Sequence, residues 1–299
     1  MLIFNHYQAV AQVQQSGYVP FRSVDARSLA LARSTGSDIA SLTVNNLNPA
    51  SISLINTAVS SYNSYHNWNT NLYSQELSFR SVSLNNHGFL IQLQYFNTGF
   101  NSVNYLGSAS LNEPDLQNLQ VSFGYSYAFN PVFSIGVLGR GYSLSNDSNT
   151  AKSLNADLGA IYAPTNYISY SLVFRGIGYG PHYEISDDGS TILRNKNLRE
   201  SLEYGATLYY PNQTEYTTLS LSAAAEALLG TGNVYFKGGI EVQPVQAAAV
   251  RTGYFNGPND QGFSFGLGLN ISSLKLNYSI LPDSRALARG HQIELLIKF

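Results

Sequence analysis

The sequence predicts an all-β chain, a transmembrane antiparallel β-barrel of about 14 strands with an N-terminal plug segment. Three observations predict it. From Ile52 onward, apolar and polar residues alternate with period two, the spacing of a strand that has two unlike faces. The connections between these stretches alternate between tight turns and longer loops. Only 11% of residues are charged while aromatics reach 13%, and an ordinary soluble domain carries about 25% charge. Few charges and many Tyr suit a surface that faces lipid and its interfaces.

In chain order, Ala9-Val10-Ala11 before Gln12 has the small-x-small form of a signal-peptidase site, so 1–11 reads as the remnant of a signal peptide that starts upstream. Residues 12–50 are not strand-like and form the lead-in and plug. Within them, 25–33 (DARSLALAR) predicts a short helix with Asp25 as its cap. Residues 34–37 break that helix, and Pro49 makes 47–50 a turn by restricting the residue before it.

The barrel is assigned to 51–299, with strands near 52–65, 69–83, 87–97, 117–129, 132–144, 153–163, 167–176, 199–210, 214–227, 232–243, 246–256, 260–271, 272–281 and 289–299. In 117–129, Leu119, Val121, Phe123, Tyr125, Tyr127 and Phe129 oppose Gln120, Ser122, Gly124, Ser126 and Ala128. In 260–271, Phe263, Phe265, Leu267, Leu269 and Ile271 oppose Ser264, Gly266, Gly268 and Asn270. Most stretches run about 10 to 14 residues, enough for a tilted strand to cross a bilayer, whereas soluble strands average about 5 to 6.

The tight connections fall at Asn85-Asn86, Asn130-Pro131, Pro164-Thr165-Asn166, Pro211-Asn212-Gln213, Pro244 and Ser272-Ser273. Between them lie longer ones, notably 98–116 and 177–198. Short turns on one rim and long loops on the other are the habit of an outer-membrane barrel. A soluble sandwich could also end on an apolar strand, but it gives no reason for this alternation. In 289–299, His291, Ile293, Leu295, Ile297 and Phe299 share one face, and Phe299 is taken as the barrel-closing signal.

Composition also excludes functions. A net charge of -2 gives no basic stripe for nucleic acid. Zero Cys removes disulfides, thiolate metal sites and Cys nucleophiles. No run of 18 apolar residues exists for a helical span. The five His (His6, His66, His87, His182, His291) are scattered without metal-ligand spacing, and Gly262, Gly266 and Gly268 sit in a strand rather than before a helix. No catalytic set, metal or cofactor is expected.

The polar face places Glu76, Arg80, Arg140, Asp157, Arg175, Glu203, Glu226, Lys237, Glu241, Arg251, Lys275, Glu294 and Lys298 in the lumen. Their signs are mixed. A strongly ion-selective pore would more often show an excess of one sign, so they read as a bonded network. About fourteen strands leave a lumen wider than wall side chains can fill, and 12–50 is the segment available to fill it.

The run 25–32, then Asp38, then Asn48-Pro49-Ala50, resembles the opening of the PorV/PorQ outer-membrane family, a branch of the FadL-like barrels. Residues 250–254, 263–269 and 274–278 look like the same family's last strands. The family usually has Gly-Gly where this chain has Ala32-Arg33, and often Asp at the place of Asn277. The resemblance implies a fourteen-stranded outer-membrane barrel with Asp38, Asn48, Pro49 and Ala50 in the plug or gate. It also implies an accessory subunit of a secretion assembly of type IX, with outer-membrane lipid and other outer-membrane or secreted proteins as partners. The alternative is that of the FadL-like relatives, a transporter of hydrophobic small molecules with a hydrophobic ligand in the lumen.

Overall fold

The computed structural model describes residues 25–39, 47–54, 57–67, 72–81, 85–98, 116–145, 150–187, 190–195, 200–212, 217–258, 261–281 and 290–299. The expected signal remnant at 1–11, the lead-in up to 24 and most of the 98–116 connection lie outside the described residues.

One sheet of 15 strands contains β1 (Val59–Asn67), β2 (Leu72–Arg80), β3 (His87–Thr98), β4 (Leu116–Asn130), β5 (Phe133–Ser145), β6 (Thr150–Thr165), β7 (Ile168–Asp187), β8 (Ser190–Asn195), β9 (Ser201–Tyr210), β10 (Leu219–Leu228), β11 (Val234–Val245), β12 (Ala248–Asn256), β13 (Gln261–Ile271), β14 (Leu274–Leu281) and β15 (Gly290–Lys298). All pairings are antiparallel, β1 pairs with β15, and β6 pairs with β7 as β7 pairs with β9. The sheet therefore closes on itself. Closure is what a bilayer requires, because an open edge in hydrocarbon would leave a row of backbone groups unpaired. The strand β8 pairs with the far end of β7, residues 182–187, and lies outside the closed circuit. Fourteen strands make the barrel.

Burial is inverted relative to a water-soluble protein. Along β4, Leu119, Val121, Phe123 and Tyr125 are exposed while Gln120, Ser122 and Ser126 are buried. Along β13, Phe263, Phe265, Leu267 and Leu269 are exposed while Ser264 is buried. Water would not tolerate such an apolar coat, and lipid requires it. No helix among the described residues is long and apolar enough to cross a membrane. Leu267, mid-strand and 56% exposed, gives a direct test. Leu267→Arg is expected to cost about 2–4 kcal/mol of folding stability in lipid vesicles, read as a lower urea midpoint.

The tight turns share a rim with Phe299, whose amide donates to Ala58 O, and with Ser273, whose carbonyl accepts from Lys298 N. Asn85 and Asn86 both take left-handed backbone angles (φ 49 and 70), the pair of conformations a two-residue hairpin turn needs and Asn tolerates. Three differences from the sequence reading stand out. Residues 49–53 form a 3-10 helix (Pro49–Ser53) instead of the start of β1. The 177–198 connection is largely a strand hairpin made by β7 and β8. The β6–β7 seam carries three register shifts, at Lys152/Leu154, Ala156/Leu158 and Tyr162/Thr165, which bend that part of the wall.

Candidate functional site in the barrel lumen

Two short pieces of the N-terminal segment lie against the inner wall. The first is α1 (Ala26–Ala30), capped by Asp25, whose side chain accepts from Ser28 N at 2.7 Å and Ser28 Oγ at 2.6 Å. Burial pushes the Asp25 carboxyl above its ordinary range, against those two hydrogen bonds. After the helix, Ala32 and Arg33 adopt φ 54 and 61. This is the left-handed conformation that glycine takes without steric penalty, and Ala32 and Arg33 hold it at a steric cost. A 3-10 turn at Thr35–Ser37 follows.

Arg27 holds this first piece to the wall. Its Nε and Nη2 donate to both oxygens of Glu241 on β11 at 2.8 and 2.9 Å, and its Nη1 pairs with Asp38 at 2.6 Å. Burial alone would lower the Arg27 pKa. Asp38 and Glu241 outweigh that and hold it well above the ordinary value. Glu241 is shared with Arg251 on β12, which also donates to Asn277 Oδ1 at 2.9 Å. Tyr209 on β9 donates to Asp38 at 3.1 Å and accepts from Ile39 N at 3.0 Å. Hydroxyls complete the seating: Ser37 meets Thr207 at 2.7 Å, Ser34 meets Ser222 at 2.6 Å, and Ser264 donates to Ala30 O at 2.8 Å.

The second piece runs 47–54. Asn48 caps the 3-10 helix by accepting from Ala50 N at 3.0 Å, and its Nδ2 donates to Ala160 O on β6 at 3.2 Å. Ser134 on β5 donates to Ala50 O at 2.8 Å, and Arg175 on β7 donates to Leu47 O at 2.6 Å. Ile52 enters a cluster with Val59, Leu90, Leu138 and Leu296.

Wall glycines make room for these contacts. A Cβ at Gly136 would stand 2.5 Å from the carbonyl of Pro49, one at Gly88 2.7 Å from that of Ile52, and one at Gly239 2.9 Å from Leu31 O. Gly159, Gly253 and Gly266 are likewise filled by Asn48, Ala32 with Leu31, and Ala30. These six positions lie on β3, β5, β6, β11, β12 and β13. The barrel wall carries a fitted seat.

Six of the remaining lumen charges form two further groups. Glu203 on β9 accepts from Arg175 at 2.9 Å and Lys237 at 2.6 Å, and Lys237 also reaches Glu226 at 2.6 Å. Arg140 pairs with Asp157 at 2.6 Å, and Asp157 also accepts from Gly176 N at 3.1 Å on the bulged seam. Arg80 donates to Thr57 O at 3.2 Å. Glu76 is buried on β2. The structure thus brings Asp38, Glu241 and Arg251 together through Arg27, while Asn48, Pro49 and Ala50 sit across β5 and β6. Phe299 lies apart, 75% exposed at the turn rim. The sequence reading did not count Arg27, Tyr209 or the seat glycines among the site residues: Tyr209 reads there as one of the strand-end tyrosines of an interface girdle, but it is buried against Asp38 and Ile39. The glycines had a signal, since glycine recurs on the phase of the strand that elsewhere carries Ser. Among the described residues, no group of His, Asp and Glu is arranged to hold a metal ion.

No family model matches the sequence, and no curated protein matches it. Solved structures do match the fold. The toluene transporter TodX of Pseudomonas putida superimposes with a TM-score of 0.64 at 14% identity, covering 93% of this chain and 98% of that one. The chain has the fold of a hydrocarbon channel. The toluene transporter TbuX of Ralstonia pickettii gives 0.59 at 12% identity over 93% and 97%, and the monoaromatic hydrocarbon channel CymD gives 0.57 at 12% over 92% and 96%.

These matches correct the expectation of a secretion-assembly subunit related to PorV and PorQ. The superimposed structures are transporters and channels, and nearly the whole length of each is covered. The reason for the misreading is physical. Asn48-Pro49-Ala50 and the 25–32 run are seating elements, and seating a segment inside a barrel places the same demands on sequence whatever the barrel serves.

Proposed function

We propose that this chain is a FadL-like channel of the bacterial outer membrane that passes hydrophobic small molecules, with the two seated pieces, 25–39 and 47–54, as the gate across its lumen. The observation that carries the reading is the fitted seat. A segment held by Arg27, Asn48 and a row of wall glycines, inside a barrel built like a toluene transporter, obstructs the lumen unless it moves. Membrane lipid surrounds the barrel, and the ligand is a hydrophobic compound admitted past that segment. The proteins it superimposes on are transporters and channels, and the chain is read as a non-enzyme on that likeness.

The test is uptake of radiolabelled toluene by cells from which the chain has been deleted. Uptake is expected to fall on deletion, to return with the wild-type chain, and to change when Pro49→Gly loosens the second seated piece. Unchanged uptake on deletion overturns the reading.

A further inference from the structure

The lumen acids divide into two groups. Asp38, Asp157, Glu203, Glu226 and Glu241 each face an Arg or Lys at ion-pair distance. Glu76 and Glu294, among the described residues, have no such partner. They are 3% and 0% exposed. One oxygen of each, Glu76 Oε2 and Glu294 Oε1, accepts no hydrogen bond.

The two carboxylates stand in a single lateral row. Gln94 on β3, Glu76 on β2, Asn63 on β1, Glu294 on β15 and Asn277 on β14 are successive register partners. Adjacent strands lie about 4.8 Å apart, so two strand spacings separate the acids, roughly 10 Å between backbones. Both side chains face inward over Asn63. The amides of the row are already committed. Asn63 Nδ2 donates to Glu76 Oε1 at 3.4 Å and Asn277 Nδ2 to Glu294 Oε2 at 2.8 Å. Arg251 hydrogen-bonds to this row at Asn277, where Glu241 holds it, and makes no ion pair with Glu294 among the described residues. A separate observation points the same way: Ser279, fully buried and diagonal to Glu294 on β14, has a hydroxyl with no partner. Asp25 acts on both acids electrostatically, and so do Arg140 on Glu76 and Arg251 on Glu294.

Buried ionisable groups at mid-strand in a membrane protein mark a substrate path more often than a structural accident. Two buried carboxyl groups, each with an oxygen that accepts no hydrogen bond, suit a partner that supplies donors and positive charge. The geometry points to a head-group site for an organic ammonium, with Glu76 and Glu294 receiving its N–H groups and the apolar body extending along the lumen. This rests on the channel reading and adds amphipathic amines to the hydrophobic molecules the channel passes.

The test is isothermal titration of the full chain in lipid nanodiscs with 2-phenylethylammonium, 2-phenylethanol and toluene. The ammonium is expected to bind at least about tenfold more tightly than the alcohol, as charge-assisted hydrogen bonds do. Glu76→Gln and Glu294→Gln each reduce that preference, and the double variant abolishes it. Gln keeps the shape of Glu, and heat-modifiable gel migration verifies that each variant still forms the barrel. Equal affinity for ammonium and alcohol, or a preference that survives in the double variant, overturns the site. If toluene uptake in cells holds while the ammonium preference is absent, the site falls and the channel stands. If ammonium binding depends on both acids in a barrel that passes nothing, the site stands and the channel falls.

Discussion

Replacing Arg27 with alanine is expected to free the first seated piece from the wall and raise the conductance of the barrel in planar bilayers severalfold. Arg27 is the cation between Glu241 and Asp38, and all three are buried. Breaking a buried pair by removing one partner costs about 3–5 kcal/mol, because the charge left behind stays in a low-dielectric site. Here the cost falls toward the lower end. Glu241 keeps Arg251 and Asp38 keeps the Tyr209 hydroxyl. The loss acts on docking of the segment rather than on the strand ladder, so the urea midpoint of the barrel should move little. Glu241→Gln should act more strongly, since the Arg27 and Arg251 guanidiniums would then face one another without the carboxylate they share. Unchanged conductance in both variants would show that the segment does not restrict the lumen.

Much of this architecture was legible in the sequence because lipid imposes a simple rule. A strand between hydrocarbon and a polar lumen must alternate, and Leu119 to Phe129 does so without a break. The same phase separated the inward acids and bases from the outward apolar residues before any contact was known. Where the rule lapsed, so did the reading. The far end of β7 alternates only through Tyr183 and Ile185, and β8 sets Ile192 beside Leu193, so the sequence showed a loop where a hairpin forms. Ile52 and Leu54 do alternate, and they read as strand, but Pro49 and the Asn48 cap turn that stretch into a 3-10 helix. Asn48 was legible as part of a turn, while its contact with Ala160 joins residues more than a hundred positions apart. Pairings of that kind, Arg27 with Glu241 above all, leave no local trace in the chain.

The seat glycines provide the sharpest separation of the segment from the barrel, because they carry no charge and make no hydrogen bond through a side chain. Gly136→Ala is expected to unseat the second piece. The added methyl would stand 2.5 Å from the carbonyl carbon and oxygen of Pro49 and 2.7 Å from Ala50 N. These are backbone atoms, which cannot swing aside as the end of a side chain can. Overpacking of this kind costs about 1–3 kcal/mol, and moving Ala50 also breaks the bond from Ser134 to its carbonyl. The control is Gly139→Ala on the same strand, where a Cβ meets only the carbonyl of Phe123, at 3.9 Å. Limited chymotrypsin digestion reads the outcome, since Leu47 and Leu54 of the second piece become more cleavable when it leaves the wall. Faster cleavage and higher conductance in Gly136→Ala, with neither in Gly139→Ala, are the expected results. If Gly136→Ala is as protected as the wild type, the wall adapts to the segment and the fitted seat cannot be what holds the lumen closed.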